Sequence, residues 1–225
     1  MVGISSIGDT TVVSNKWMLG TRNSFFIGII ATLLATALGT VAALGLSRPH
    51  MPFKAVLMAI LISPMIVPLI ITAAGMFFFY SKIGLTHTYL GLILAHTALG
   101  TPFVVITVTA TLTGFDTNLI RASQSLGADT MRTFFKVIMP LILPGVISGG
   151  LFAFITSFDE VVIVMFVGSV EQITIPKQMW AGLRQETSPV ILCMATCLVA
   201  LSIALLTTVE MLRRRSERLR GIKQR

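Results

Sequence analysis

The segment "LIRASQSLGADTMRTFFKVIMPLILPG" (Leu119–Gly145) lies between two long apolar stretches of a very hydrophobic chain. It carries two arginines, a lysine and an aspartate, and it ends in a stretch with two prolines. Charged groups are costly in the hydrocarbon of a bilayer. A polar segment between membrane-length apolar stretches therefore predicts a connection that lies at the membrane surface.

The composition indicates that lipid is the main solvent of this chain. Of the 225 residues, 54% are hydrophobic and only 12% are charged, and the mean hydropathy is +0.88. Soluble proteins carry about 25% charged residues, and a helix of about 20 apolar residues crosses the hydrocarbon core. We therefore predict an all-α, polytopic membrane helical bundle with five spans: Ser24–Leu46, Ala55–Tyr80, Leu90–Leu112, Ile138–Val167 and Val190–Val209.

The basic residues predict the orientation of these spans. With a cytoplasmic C-terminus, twelve of the 17 lysines and arginines lie inside, seven of them in the tail 210–225, and five lie outside. This distribution satisfies the positive-inside rule. The net charge of +8 therefore indicates a topology anchor near anionic lipid rather than a nucleic-acid surface.

The same topology places the N-terminal segment, residues 1–23, in the periplasm. This segment is polar and has no apolar core, so it cannot be a cleaved signal peptide. Lys16 and Arg22 oppose its translocation. We therefore expect that a usual first membrane helix is missing from this chain.

Prolines mark irregular positions in two of the spans. Pro64 and Pro68 each remove a backbone donor, so the second span is expected to kink there, for structural or for functional reasons. The fourth block has 30 residues, about 45 Å as a straight helix, which exceeds the hydrocarbon thickness. Pro140, Pro144 and the glycines at 145, 149 and 150 predict that the irregular part is its inner end.

Asp159 and Glu160 are the only ionisable acids or bases predicted inside a span, apart from histidine. A carboxylate in a membrane is usually tolerated only beside a cavity or a partner. One interpretation is an acidic contact for a cationic solute on a translocation path, with Ser157, Phe158, Pro64 and Pro68 as further lining residues. The alternative, favoured for one of the two acids, is that the carboxylate caps or braces a neighbouring helix.

Local sequence signals divide the segment Leu119–Gly145, with the residues just before it, into two short helices. Asp116 or Thr117 can cap the first, Leu119, Ala122 and Leu126 recur on it at helical spacing, and Gly127 is suited to end it in a left-handed conformation. Asp129 or Thr130 can cap the second, which Pro140 is expected to end. The segment would form a docking surface, or alternatively a helical loop on the lipid headgroups.

No motif for nucleotide binding or hydrolysis occurs in the sequence. Cys193 and Cys197 share one helix face but are expected to be small apolar packing residues. His87 and His96 have no partner at metal-ligand spacing. We therefore predict a protein that is not an enzyme, with no metal site and no cofactor of its own.

The positions Ala122, Gly127, Val137 and Pro140 fit the spacing EAA-x3-G-x9-I-x-L-P, and on them the chain resembles the inner-membrane permeases of ABC importers. The departures are Arg121 in place of the usual glutamate, Ser123 for alanine, Val137 for isoleucine and Met139 for leucine. "SFDEVVIVMFVG" and "TIPKQMWAGLRQETSP" are similar to the second permease subunit of the spermidine/putrescine branch. The likeness extends from about residue 23 to the tail.

The resemblance implies a type I importer fold, with a permease domain over 24–209 and a cytoplasmic coupling segment over 113–137. Its partners would be an ABC ATPase subunit in two copies, which binds the ATP and Mg, a homologous second permease and a periplasmic solute-binding protein in the bacterial inner membrane. The residues that the resemblance assigns to ATPase coupling are Arg121, Ala122, Ser123, Leu126, Gly127, Ala128, Asp129, Arg132 and Pro140. The charge change at Arg121 implies a compensating charge on the ATPase. The alternative function is an ATP-independent secondary transporter or channel subunit.

Overall fold

The structure is a computed structural model that describes residues 6–48, 50–113, 116, 118–185 and 189–219. Over these residues every regular element is helical, which agrees with the all-α prediction. The α-helices are α1 (Ser6–Leu46), α2 (Lys54–Ile66), α3 (Leu69–Ile83), α4 (Tyr89–Thr113), α5 (Asn118–Ser125), α6 (Thr130–Thr133), α7 (Met139–Phe158), α8 (Val162–Val167), α9 (Ile175–Gln185) and α10 (Pro189–Leu219).

Four of these helical stretches are long and apolar enough to cross a membrane, and the bent pair α2–α3 makes a fifth crossing if it counts as one span. This agrees with the predicted five spans. The first helix begins earlier than the sequence indicates, because α1 starts at Ser6 and passes through the predicted boundary at residue 23. No proline interrupts residues 6–23, so the polar residues continue the same helix.

The second span is two helices rather than one kinked helix. The axes of α2 and α3 are bent by 103°, and Val67 between them is extended, with ψ 136°. A residue that precedes proline avoids the helical region, so Pro68 imposes this break. Pro64 does not break the chain, since α2 continues through it. The expected kink is therefore confirmed at Pro68 alone.

The fourth predicted span, Ile138–Val167, is interrupted near its C-terminal end rather than at the N-terminal end that carries the prolines. A continuous helix of 29 residues runs from Thr130 to Phe158, and it includes a π-helical turn over Phe134–Ile138. The prediction that Pro140 ends a helix is wrong. The N–H of Met139 bonds to the carbonyl oxygen of Phe134, five residues back, and this wider turn accommodates a proline that cannot donate. The interruption falls instead at residues 159–161, between α7 and α8.

Helix α4 holds the bundle together, because small residues let α1 and α7 approach it closely. A Cβ on Gly39 of α1 would lie 2.6 Å from the Cβ of Val104, and one on Gly100 would lie 2.9 Å from the Cβ of Ala153 in α7. Side chains at Gly145 and Gly149 would collide with threonines of α4. Gly145 and Gly149 form a small-xxx-small pair, a sequence pattern that indicates close helix contact, and the structure shows that contact. Around α4 the core divides into two clusters, one at each end of the bundle.

Candidate functional site

The first candidate site is the connection between α4 and α7, and its first helix is closed at both ends as the sequence predicted. The backbone N–H of Asn118 donates to Oδ1 of Asp116 at 2.9 Å, at the start of α5. Thr117, the other predicted cap, lies outside the described residues. At the far end Gly127 has φ +80°, which favours glycine. Its N–H donates to the carbonyl of Gln124 at 2.9 Å, and that of Ala128 donates to Ser123 at 3.1 Å. These two bonds form a Schellman turn.

The second helix begins at Asp129, whose Oδ1 accepts from the N–H of Arg132 at 2.7 Å. It packs on the first helix through Ser123 Oγ and Thr133 Oγ1, which lie 2.8 Å apart. Thr133 is buried at this contact. Two short helices are thus fixed against each other by side chains that are all close in sequence.

Most of the predicted coupling residues point to the surface. Ser123 and Ala128 are half-buried, and the others are exposed: Arg121, Ala122, Leu126, Gly127, Asp129, Arg132 and Pro140. Leu126 is 88% exposed, directly after α5. The structure gathers all of these residues except Pro140 in the α5–α6 connection, while Pro140 stands within α7, beyond the π-helical turn.

The predicted acidic pair lies at the opposite end of α7, and its two members have different surroundings. Glu160 is buried, and its Oε1 accepts from the backbone N–H of Ile163 at 2.9 Å. It therefore caps the short helix α8, which is the structural role expected for one of the pair. Asp159 ends α7 and is exposed. Asp159 is thus the acid of this pair that a solute could reach.

Ser157 and Phe158 lie on the buried side of the same break. Ser157 Oγ is 2.7 Å from Nδ1 of His96 in α4, so His96 has a partner that the sequence did not reveal. Phe158 meets Phe25 of α1 edge to face, with ring centroids 5.0 Å apart. These two residues join α7 to its neighbours. Both are buried, and their role as path-lining residues stays a prediction.

Pro64 and Pro68, the other predicted path residues, belong to α2 and to its bend. Every described side chain of α2 is at least partly exposed, including Pro64, and Pro68 is exposed. Helix α3, which begins directly after Pro68, packs against α8, which follows Asp159 and Glu160. Across the described residues there is no group of three or more His, Cys, Asp or Glu side chains that could hold a metal ion.

The structure also shows a polar clamp that sequence reasoning missed. Asn23 of α1 is 1% exposed, and its Nδ2 donates to the carbonyls of Glu171 and Ile173 at 2.8 and 2.9 Å. Its Oδ1 accepts from the hydroxyl of Tyr89 at 3.1 Å. The next residue, Ser24, accepts from the N–H of Ile175 at 2.9 Å. The only indication of these contacts in the sequence was an asparagine next to an apolar stretch.

Lys177 of α9 completes this end of the molecule. Its Nζ donates to the carbonyls of Val164 and Ser169, each at 3.1 Å. Burial lowers the pKa of the Lys177 amine. Helix α8 thus has the carboxylate of Glu160 at its N-terminus and the amine of Lys177 near its C-terminus, which is the favourable arrangement for the helix dipole.

Comparisons with known proteins agree with this architecture. The family model described as "Binding-protein-dependent transport system inner membrane component" matches residues 35–218. The spermidine/putrescine transport system permease protein PotC of Haemophilus influenzae is 30% identical over 194 residues, 86% of this chain and 76% of that protein. The putrescine transport system permease protein PotI of Escherichia coli (strain K12) is 29% identical over 78% of this chain and 65% of its own.

Two solved structures share the fold. The chain matches an inward-facing structure of the MetNI methionine ABC transporter with a TM-score of 0.67 and 19% identity, over 94% of this chain and 98% of that one. It matches an amino acid ABC transporter crystallised with histidines with a TM-score of 0.67 and 15% identity, over 95% and 100% of the two chains. The likeness to these structures shows a fold of the type I importer permeases. Since the family model spans most of the sequence, this multi-pass membrane protein belongs to the binding-protein-dependent transport system inner membrane components, the permeases of ABC importers.

Proposed function

We propose that this chain is one of two permease subunits of a polyamine importer and forms half of its translocation path. The relatives described above are named for spermidine and putrescine transport, and the exposed acid Asp159 suits a cationic solute by charge. The observation that carries the proposal is the α5–α6 connection. It is an ordered, solvent-facing surface between two membrane helices, and such a surface is suited to receive another protein.

The coupling segment would transmit force from an ATP-hydrolysing partner. Its two helices are fixed by caps at Asp116 and Asp129 and by the turn at Gly127. Leu126 stands exposed at their junction. A pre-formed surface loses little conformational entropy when a partner binds. Movement of the bound partner would then move α7, since the second helix is continuous with it.

Family membership implies an ATPase and a binding protein as partners. We place two ATPase copies at the coupling segments of this chain and of a second permease, with ATP and Mg bound in the ATPase. This chain then has no hydrolytic role of its own. The periplasmic binding protein would deliver the solute on the opposite side of the membrane. This arrangement requires that the basic tail and the coupling segment are both cytoplasmic.

The proposal is tested by reconstituting the complex, with its second permease and ATPase, in liposomes with the binding protein outside. We expect uptake of radiolabelled spermidine that requires ATP in the ATPase compartment. Omission of the ATPase is the control, and equal uptake without it would instead indicate a secondary transporter or channel. Uptake of an uncharged solute with no competition by spermidine would contradict the choice of substrate.

A further inference from the structure

The surface of the coupling segment is basic at its rim. Three cationic side chains are exposed on it: Arg121 on α5, Arg132 on α6 and Lys136 in the π-helical turn. Within the described part of the chain none of them forms an ion pair. Each is therefore available to a partner.

Two exposed carboxylates, Asp116 and Asp129, belong to the same segment and offset only part of this positive charge. Asp116 accepts from the N–H of Asn118, and Asp129 accepts from the N–H of Arg132. Each carboxylate lies at the N-terminus of a helix, where the helix dipole already compensates it. With three cations against two carboxylates, the segment keeps a net positive charge.

Between the cations the surface is apolar. Leu126, Met131 and Phe135 are 88%, 68% and 61% exposed. Ser123 faces Thr133 in the contact between the helices, and Arg121, two residues from Ser123, lies on the opposite face of α5 because successive residues turn by about 100°. The positive charge and the contact with α6 are therefore on different sides of α5.

Lipid is a poor occupant for this surface. The helix from Thr130 to Phe158 has 29 residues and a length of about 43 Å, while the hydrocarbon core is about 30 Å thick. The charged end of that helix, with Arg132 and Lys136, has to protrude. Helix α5 stands at the protruding end, where another protein can reach it.

We infer that the ATPase groove that receives this segment has an apolar floor and carboxylates at its rim, with one carboxylate facing Arg121. This inference rests on the proposed coupling role and adds the chemistry of the partner surface. A desolvated charge pair of this kind would fix the register of docking and strengthen it. The binding partner of this surface is the ATP-hydrolysing subunit, not the lipid membrane.

The test measures binding of the purified cognate ATPase to the permease pair in nanodiscs made of zwitterionic lipid. Arg121→Glu should lower the affinity about tenfold, and Arg121→Gln should lie between it and the wild type. The matched control is Lys54→Glu, which makes the same charge change at an exposed residue of α2 outside the segment and should leave the affinity unchanged. The affinity of the wild type should fall with added salt more steeply than that of Arg121→Gln.

Reversal of the matching ATPase carboxylate to arginine, found by a charge-reversal scan of its surface, should restore binding of Arg121→Glu. Equal affinity of Arg121→Glu and wild type, with both proteins equally stable, would overturn the inference while the coupling role stands. A wild-type pair that does not bind the ATPase at all would overturn the coupling role itself. If binding of the wild type depends on anionic lipid and not on Arg121, the charges face lipid, and the inference is wrong.

Discussion

The two ends of α7 are built in different ways. At the coupling end the bonds are local: Asp116 to Asn118, Gln124 to Gly127, and Asp129 to Arg132. At the other end Asn23 bonds to carbonyls 148 and 150 residues away in sequence. The first end can form as soon as its own residues are helical, while the second requires the whole bundle. Loss of the long-range bonds at the second end should therefore cost the most stability, while changes in the local turn at the first end should mainly affect function.

The largest expected effect is at the long-range end. Asn23→Asp replaces two N–H donors with an oxygen that faces two carbonyl oxygens in a buried place, and we expect a loss of about 3 kcal/mol in the free energy of unfolding. The measurement is thermal or denaturant unfolding in detergent micelles. Ser47→Ala, which removes only a local bond from the residue after α1 to the carbonyl of Ala43, should change the free energy of unfolding by less than about 0.5 kcal/mol. Equal losses in the two variants would show that the long-range bonds of Asn23 contribute no more stability than one local bond.

The next effect is at the cap of α8. Glu160→Ala should cost about 1–2 kcal/mol, because the N–H of Ile163 is left without its buried acceptor. Glu160→Gln keeps a carbonyl oxygen at this place and should cost less. Unfolding of both variants checks this order. If Gln is as damaging as Ala, the charge of Glu160 is needed, and the role of this residue is more than a cap.

Gly127 tests the end with local bonds, and Gly84 provides a matched control position. Gly127→Val and Gly84→Val both force a branched residue into a left-handed conformation, with open space around each Cβ. Each should cost about 1–2 kcal/mol in stability. Only Gly127→Val should uncouple transport, measured as lost uptake with ATP hydrolysis retained. Equal uptake in the two variants would show that the turn at Gly127 does not transmit force.

The smallest effect on stability is expected at the exposed acid. Asp159→Asn should change the free energy of unfolding by less than about 0.5 kcal/mol, while it raises the KM for spermidine uptake several-fold. Glu171→Gln, an exposed acid on the loop after α8, is the control and should leave uptake unchanged. An unchanged KM in Asp159→Asn would remove this residue from the proposed path.

The local end shows what the sequence could predict. Gly127 was predicted from residue type and spacing, and each cap was narrowed to two neighbouring residues, because caps and glycine turns depend on a few neighbouring residues. The structure shows Asp129 rather than Thr130 as the second cap. Pro140 was the exception. A proline usually ends a helix, but here a π-helical turn that ends at Ile138, directly before Met139, accommodates Pro140. Nothing in the local sequence pattern indicates this turn.

The long-range end shows what remained hidden. Sequence reasoning allowed one of Asp159 and Glu160 to be a cap but could not choose between them, since the choice depends on where the helix breaks. Asn23, Tyr89 and His96 could not be found, because each is defined by a partner on another helix. Hydrophobic blocks predict which segments span the membrane, and they carry no information on which polar atoms meet.

The continuous helix from Thr130 to Phe158 has a mechanical consequence. Its 29 residues form one helix through the π-helical turn and Pro144, with the coupling connection at one tip and Asp159 at the other. A tilt of about 10° about one tip displaces the other by about 7 Å over a length of about 43 Å. A tilt of this size would thus move a carboxylate by more than the width of a methylene chain, and a small angle at one tip would become a change of access at the other.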